Sequence, residues 1–428
     1  MMLQVLRNWR WLQKSQWFDK EQLITVQAKG LDNVIEHAIR SVPFYRKLYS
    51  AAGVLPGQRN NTVDRLPITT REQFRLTPLS ERTAIGVNVN ACMPRTTSGT
   101  TGIPVKLLED PDWTAWQEAL VLRMLWTWGV RPLDRICRAT QTSMGRSRFR
   151  LADSQGLWGT IRRKRIKQLW LSTDISEHIK FFSTWKPDVL MSVPSYLRTL
   201  ARLSEKMDEN LSFKLVVSSS ELLDDSTRRL VEDKFQTELL DHYTTEETGS
   251  LAWECPTHSG YHINADAVII ELLQNGRQVT AGEPGNVYTT SFRRFATPVI
   301  RYLTGDVATR IDDECPCGRT LFLLKNIQGR IMDYILTTDD RHISPYEVTA
   351  TLNKVTGVEQ YKVIQSRNFS IEVLVKPDPD PEQSAQVLEN MRDRCKGIFG
   401  ETSFNVRLVD KIENAGPKFR MVESSLTS

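Results

Sequence analysis

Thr96-Thr97-Ser98-Gly99-Thr100-Thr101-Gly102-Ile103-Pro104-Val105-Lys106 is the stretch whose reading decides the fold. From position 96 to 102 it holds only Thr, Ser and Gly, so it has no apolar side chain to bury and cannot be core. Gly99 and Gly102 open backbone conformations that other residues avoid. The hydroxyls and N–H groups of Thr97, Ser98, Thr100 and Thr101 can converge on an anion. With Lys106 closing it, the stretch reads as a phosphate-gripping loop. A flexible linker has a similar composition, but Asp110-Pro111 looks like a helix start, with Trp113, Trp116, Leu120 and Met124 following at helical spacing. A loop that leads straight into a core helix is not a linker. The P-loop pattern also fails, because it needs Ser or Thr after the lysine and Leu107 stands there.

Length and composition set the frame. The 428 residues are 40% hydrophobic and 25% charged, as expected of a soluble globular protein with two or three domains. No run of about 18 apolar residues predicts a membrane span. Met1 to Phe18 lacks an apolar signal core, so the expected location is cytoplasmic. The net charge of +5 is concentrated between Arg146 and Lys167, around Arg162-Arg163-Lys164-Arg165. Such a cluster is a solvated loop or a grip for CoA phosphates, an acidic carrier or nucleic acid. No nucleic-acid motif accompanies it, and no nucleic-acid partner is expected. Cys92, Cys137 and Cys395 stand alone and read as small core hydrophobes.

From Asp188 to Tyr243 short apolar runs alternate with amphipathic helices, the pattern of a doubly wound sheet. Val189 to Ser192 and Leu215 to Val217 read as buried strands, Asp225 to Phe235 as a helix, and Glu238 to Leu240 as a lead-in to Asp241-His242-Tyr243. Polar loops at the carboxyl ends of such strands are where these sheets place ligands. Pro298 to Asp306 reads as an apolar strand ending in a Thr304-Gly305-Asp306 turn. Beyond Tyr334 the character changes: Tyr361 to Ile364 and Ile371 to Val375 alternate like paired strands. A helix carrying Leu388, Met391, Cys395 and Phe399 follows, and Phe404 to Val409 reads as the last strand.

Cys255, with His258 and His262 close behind, and the Cys315-Pro316-Cys317 pair form two tight groups. In a reducing compartment they favour metal over disulfide. Three thiolates and one imidazole make a closed tetrahedral zinc site, structural because no position is left for water. The spacing alone leaves either histidine open.

The Thr96–Lys106 stretch resembles the signature loop of the adenylate-forming enzymes, the superfamily of acyl-CoA ligases, firefly luciferase and peptide-synthetase adenylation domains. Val42-Pro43-Phe44-Tyr45-Arg46 and Leu66-Pro67-Ile68-Thr69-Thr70-Arg71, in a helical lead-in, narrow this to the phenylacetate-CoA ligase branch. Tyr243-Thr244-Thr245-Glu246-Glu247 is similar to that superfamily's Tyr-Gly-x-Ser/Thr-Glu motif, with Thr244 in place of the glycine and Glu246 in place of the hydroxyl residue. The Pro298 to Asp306 segment, Gly329-Arg330 and Gly416-Pro417-Lys418-Phe419-Arg420 resemble the motifs that follow in family order, although Pro417 interrupts the last.

The resemblance implies an α/β fold: residues 1–332 as a large N-terminal adenylation domain with doubly wound mixed sheets, and 333–428 as a small, mobile α+β lid. It implies ATP- and Mg²⁺-dependent activation of a small carboxylic acid to an acyl-adenylate, then transfer to CoA. Other acceptors in the family are an amine, a hydroxyl or a carrier, and a second class of relative binds nucleotide without turnover. By the same resemblance, Ser220 and Glu221 lie against the adenine, Tyr243 stacks on it with Thr245 nearby, and Glu247 holds magnesium. Asp306 accepts the ribose hydroxyls and Arg330 contacts ribose or phosphate. Lys106 and the 97–102 loop offset phosphate charge, and Lys418 swings in during adenylation. Relatives carry Gly-x-His at the place of His262, which favours it over His258 as a zinc ligand. Histidines and tryptophans between 125 and 260 are expected around the acyl group, and a homodimer is compatible with the reading.

Overall fold

The computed structural model describes residues 1–55, 57, 62–96, 105–140, 164–330, 334–339, 341–378, 381–413 and 420–426. The 97–102 loop, most of the basic cluster, the 332/333 domain boundary and Lys418 lie outside these residues.

A helical lead-in opens the chain: α1 (Met2–Ser15), α2 (Lys20–Ser41), α3 (Pro43–Ala51), α4 (Arg71–Leu76) and α5 (Leu79–Arg82). Local chemistry starts them. Asp19 and Gln22 form a reciprocal capping box on α2, Thr70 and Gln73 do the same on α4, and Pro43 occupies the first turn of α3. A hairpin of β1 (Met93–Thr96) and β2 (Lys106–Glu109) brackets the undescribed loop, and α6 (Pro111–Thr127) follows. As the sequence predicts, Asp110 caps α6 by accepting from the Trp113 N–H, and Pro111 stands in its first turn.

Among the described residues the centre is one continuous twelve-stranded sheet. Its parallel half runs β4 (Ile166–Trp170), β3 (Ile136–Thr140), β5 (Val189–Ser192), β6 (Leu215–Ser219), β7 (Leu239–Thr245), connected through α7 (Ile175–Trp185), α8 (Pro194–Lys206) and α9 (Asp225–Phe235). Every residue of β5 is buried, as a parallel strand covered on both faces requires. The other half is antiparallel. From β7 outward it continues through β8 (Gly249–Glu254), β9 (Tyr261–Ile263), β14 (Leu323–Arg330), β13 (Tyr302–Ile311), β12 (Pro284–Ser291), β10 (Val268–Gln274) and β11 (Arg277–Gln278).

A smaller C-terminal sheet has the order β19 (Phe404–Leu408), β18 (Ile371–Pro377), β17 (Val358–Gln365), β20 (Val422–Ser424). The hairpin β15 (Ile335–Leu336) and β16 (His342–Ile343) precedes it, with α10 (Pro345–Leu352) and α11 (Pro381–Phe399) alongside. Its own core includes Tyr361, Val373, Met391, Cys395 and Phe399.

Two sequence expectations are corrected. Phe404 to Leu408 is not the last strand, because Val422–Ser424 returns to pair in parallel with β17. Three residues are too short to announce themselves by alternation. The Pro298–Asp306 segment is not a strand ending in a turn either. β13 begins at Tyr302 and runs on through Asp306, with Gly305 at φ +83 and a register shift near Val307. A bulge that needs a left-handed glycine looks like a turn in sequence.

The lead-in is locked to the sheet by buried charge. Arg123 on α6 is ion-paired with Asp266 and donates to Asn264 Oδ1 at 2.5 Å, and Asp266 also accepts from Ser15 Oγ on α1 at 2.5 Å. Both charged side chains are fully buried. Removing one member strands the other, so Arg123→Met should cost about 3–5 kcal/mol of stability. Urea unfolding of the variant beside the unaltered chain measures this.

Candidate active site and cysteine–histidine cluster

A cavity of about 460 Å³ opens at the carboxyl ends of β5, β6 and β7, with the C-terminal sheet on its far side. It is lined by the start of α8, the segment after β6, the end of β7 with the turn that follows, Thr304 and Asp306 of β13, and Tyr361, Lys376 and Arg420 from the C-terminal unit.

After β6 the backbone turns through Ser220 at φ +71, and Glu221 Oε2 accepts from the Ser195 N–H at 3.0 Å, tying this loop to the first turn of α8. On the opposite wall Tyr243 Oη donates to Asp306 Oδ2 at 2.6 Å. The Asp306 N–H donates to Thr304 Oγ1 at 3.0 Å, which fixes the carboxylate beyond the Gly305 bulge. Glu247 is buried, with Oε1 accepting from Tyr302 Oη at 3.1 Å. Glu246 beside it is half-buried. Thr245 accepts from the Thr248 N–H at 3.1 Å, closing the turn that presents both glutamates.

A buried network stands behind this wall. Asp241 accepts from Ser218 Oγ and from Tyr261 Oη at 3.1 Å, and its N–H donates to Glu254 Oε2 at 2.9 Å. Arg228 donates to the same carboxylate oxygen at 2.8 Å. His242 lines the cavity, its Nε2 2.8 Å from Ser250 Oγ.

Burial pushes the Asp241 carboxyl up from 3.8 to about 6, more than the Ser218 hydrogen bond pulls it back. The native state therefore keeps a proton that the unfolded chain releases near pH 4. This group's contribution to stability is fully present below pH 4 and is lost as pH rises through 6. Asn mimics the protonated form. The stability difference between Asp241→Asn and the unaltered chain should move in the variant's favour between pH 4 and 6, by at most about 3 kcal/mol, and stay level above. Urea titrations at several pH values test the sign.

The second group lies where β8, β9 and the β13–β14 connection meet. The ligand atoms of Cys255, His262, Cys315 and Cys317 all fall within 4.8 Å of one another. Cys255 and Cys315 Sγ are 3.5 Å apart, and His262 Nε2 is 3.2 Å from Cys317 Sγ. His262 packs on Trp253 at 4.8 Å between ring centroids. Burial, reinforced by Arg319, pushes its pKa down to about 3, so the ring is neutral, the form that ligates a metal. Burial also pushes the Cys255 thiol up to about 12. His258 is outside the group: it is half-exposed and sits between Glu254 at 2.9 Å and Glu238 at 3.3 Å. Gly260 closes the knuckle by accepting from the Cys255 N–H at 2.8 Å. A Cβ there would stand 2.5 Å from the Leu324 carbonyl oxygen.

Of the site residues expected from sequence, Ser220, Glu221, Tyr243, Thr245, Glu247 and Asp306 all line the one cavity. Arg330 is paired in register with Asp306 at the end of β14. Lys106 opens β2, is exposed and is not among the lining residues, whereas Leu107, Leu108 and Glu109 after it are all buried. Thr97, Ser98, Gly99, Thr100, Thr101, Gly102 and Lys418 lie outside the described residues. The sequence reading missed Arg71, Asp241 and the start of α8. The Ser192-Val193-Pro194 strand end was the available signal, being a third strand terminus beside the two it used. Of the histidines and tryptophans expected around an acyl group, His242 alone lines this cavity among the described residues.

No family model matches the chain. It is 26% identical over 370 residues to the phenylacetate-coenzyme A ligase of Thermus thermophilus, covering 82% of this chain and 80% of that protein. With the Escherichia coli enzyme of the same name it is 25% identical over 404 residues, 89% of each. Among solved structures, 2-hydroxyisobutyryl-CoA ligase in the postadenylation state with 2-HIB-AMP superposes with a TM-score of 0.79 at 23% identity, over 95% of this chain and 90% of that one. The same enzyme with 2-HIB-AMP and CoA in the thioesterification state, also 23% identical, gives 0.64 over 96% and 91%. The fold is that of the adenylate-forming acyl-CoA ligases. In sequence, its similarity to the phenylacetate-coenzyme A ligases extends over more than four fifths of the chain.

Proposed function

We propose that this protein activates a carboxylic acid with ATP and then transfers the acyl group to CoA. The observation that carries the reading is the Tyr243–Asp306 contact at the mouth of a cleft that also holds Ser220, Glu221 and the buried Glu247. An aromatic face, a ribose-facing carboxylate and a metal-facing carboxylate are the parts a nucleoside triphosphate needs. Similarity to phenylacetate-CoA ligases over more than four fifths of the chain supports the same reaction class.

In this reading the substrate carboxylate attacks the α-phosphorus of ATP, the bond to the β,γ-diphosphate breaks, and acyl-adenylate and pyrophosphate result. The CoA sulfur, having lost its proton, then attacks the acyl carbon and AMP leaves. Glu247 is suited to hold Mg²⁺, since Tyr302 orients one oxygen and the ion takes only one or two protein carboxylates. When bound, Mg²⁺ offsets the charge that gathers on the phosphates. Lys106, Lys418, Arg330 and the 97–102 loop belong to the same proposal as phosphate and ribose contacts. Residues 333–428 form the lid. Its present placement suits adenylation, in keeping with the higher superposition score against the postadenylation state.

Cys255, His262, Cys315 and Cys317 fit a structural Zn²⁺, with three sulfurs and one neutral imidazole leaving no open position. Such a site, with thiols kept reduced, suits a cytoplasmic enzyme.

Pyrophosphate release from MgATP across aryl, fatty, hydroxy and amino acids tests the activity. Release with one acid and thioester formation with CoA are expected. Asp306→Ala should lower kcat/KM for ATP about a hundredfold. ATP binding without release for any acid would instead identify a nucleotide-binding relative without turnover. Protein purified without chelator should carry near one zinc per chain by elemental analysis, and Cys315→Ser should lose it and melt at lower temperature. Metal-free unaltered protein of unchanged stability would remove zinc from the proposal.

A further inference from the structure

Helix α8 carries Arg198, Arg202 and Lys206 at steps of four, so one of its faces is a cationic stripe. All three line the cleft between the large sheet and the C-terminal unit. The C-terminal unit rests on that stripe. Arg202 Nη2 donates to the Val358 carbonyl at 2.5 Å, and its Nη1 is 3.7 Å from Asp378. Lys206 Nζ is 3.9 Å from Glu359, which Lys376 holds more closely at 2.7 Å. Among the described residues Arg198 donates to the hydroxyls of Ser226 and Thr227, at 3.2 and 3.3 Å. Arg198 Nε and Arg202 Nη1 are buried without a hydrogen bond.

Across the interface, among the described residues, the stripe thus meets the carboxylates of Asp378 and Glu359, the latter shared with Lys376, at distances where partly exposed pairs contribute little. This latch is weak and leaves donors unused. Guanidinium groups bind phosphate oxygens as readily as carboxylates, and do so more strongly when the fork is filled.

We propose that this face of α8 is used twice. With the C-terminal unit placed as here, it latches that unit through Asp378 and Glu359. When those carboxylates move off, the same cations take the phosphates of a polyanionic acyl acceptor. The inference rests on the acid-activating, CoA-using reading above and names the surface that CoA's phosphates meet. The two uses exclude each other, so acceptor binding and latch release are linked reciprocally: whatever weakens the latch strengthens the acceptor's hold.

Initial rates of thioester formation against CoA concentration, with pyrophosphate release followed separately, test this in two pairs of variants. Arg202→Met with Lys206→Met should raise the KM for CoA about tenfold, and Glu359→Gln with Asp378→Asn should lower it about threefold, the range expected for partly exposed charges. Loosening of the interface alone would move both pairs in the same direction. If the unaltered chain releases pyrophosphate but forms no thioester, the CoA reading falls and this proposal with it. If thioester forms, shifts of the same sign in both pairs, or none in either, overturn the role of α8 alone.

Discussion

Tyr243 and Asp306 are in hydrogen-bond contact, although β14, β9 and β8 lie between their strands in the sheet. Four intervals of about 4.8 Å would hold them some 19 Å apart in a flat sheet. The sheet must therefore bend over on itself, and the rest of the architecture serves that bend. Strand β9 has three residues and its register with β14 covers Leu323 and Leu324, so among the described residues the strand pairing between β8 and β14 through β9 is short. The bulges in β13 at Gly305 and Val307 turn its carboxylate toward β7. The cleft is what remains open along the fold.

Bending a sheet separates backbone partners, and side chains make up the loss at both ends. At one end the Tyr243–Asp306 contact closes the cleft wall. At the other, Cys255, His262, Cys315 and Cys317 bring the end of β8, the middle of β9 and the β13–β14 connection together. Glu254 joins the two ends. It precedes Cys255, is held by Arg228, accepts from the Asp241 backbone, and contacts His258. Two residues on from Asp241 stands Tyr243. The cysteine cluster is thus joined to the aromatic wall of the cleft through Glu254, one hydrogen bond to Asp241 and two residues of β7. Histidine 258, which the spacing made a candidate ligand, serves this carboxylate network instead.

The α8 surface extends the same economy to the C-terminal unit. That unit has its own core around Met391 and Phe399. Its described polar contacts with α8 are long ion pairs and one carbonyl hydrogen bond. An interface built this way separates at modest cost.

Much of this was legible in the sequence because it is local. Asp110-Pro111 starts a helix wherever it stands, since the cap and the fixed proline φ act within one turn. Val189 to Ser192 must be buried on both faces because all its side chains but one are apolar. Asp225 to Phe235 came through with its bounds intact, because Asp224 caps it and Gln236 in the left-handed region stops it. Short motifs also named Ser220, Tyr243, Glu247 and Asp306, each carried by its immediate neighbours. What the sequence could not give is which of these residues touch. A bulge and a turn share the same Thr-Gly-Asp, of the two histidines near Cys255 one sits in a turn at φ +53 and the other in β9, and α8's cations become a surface only once Glu359 and Asp378 arrive opposite. Those are questions of register and of contacts across many residues, and only the folded chain, with its sheet bent through β9, decides them.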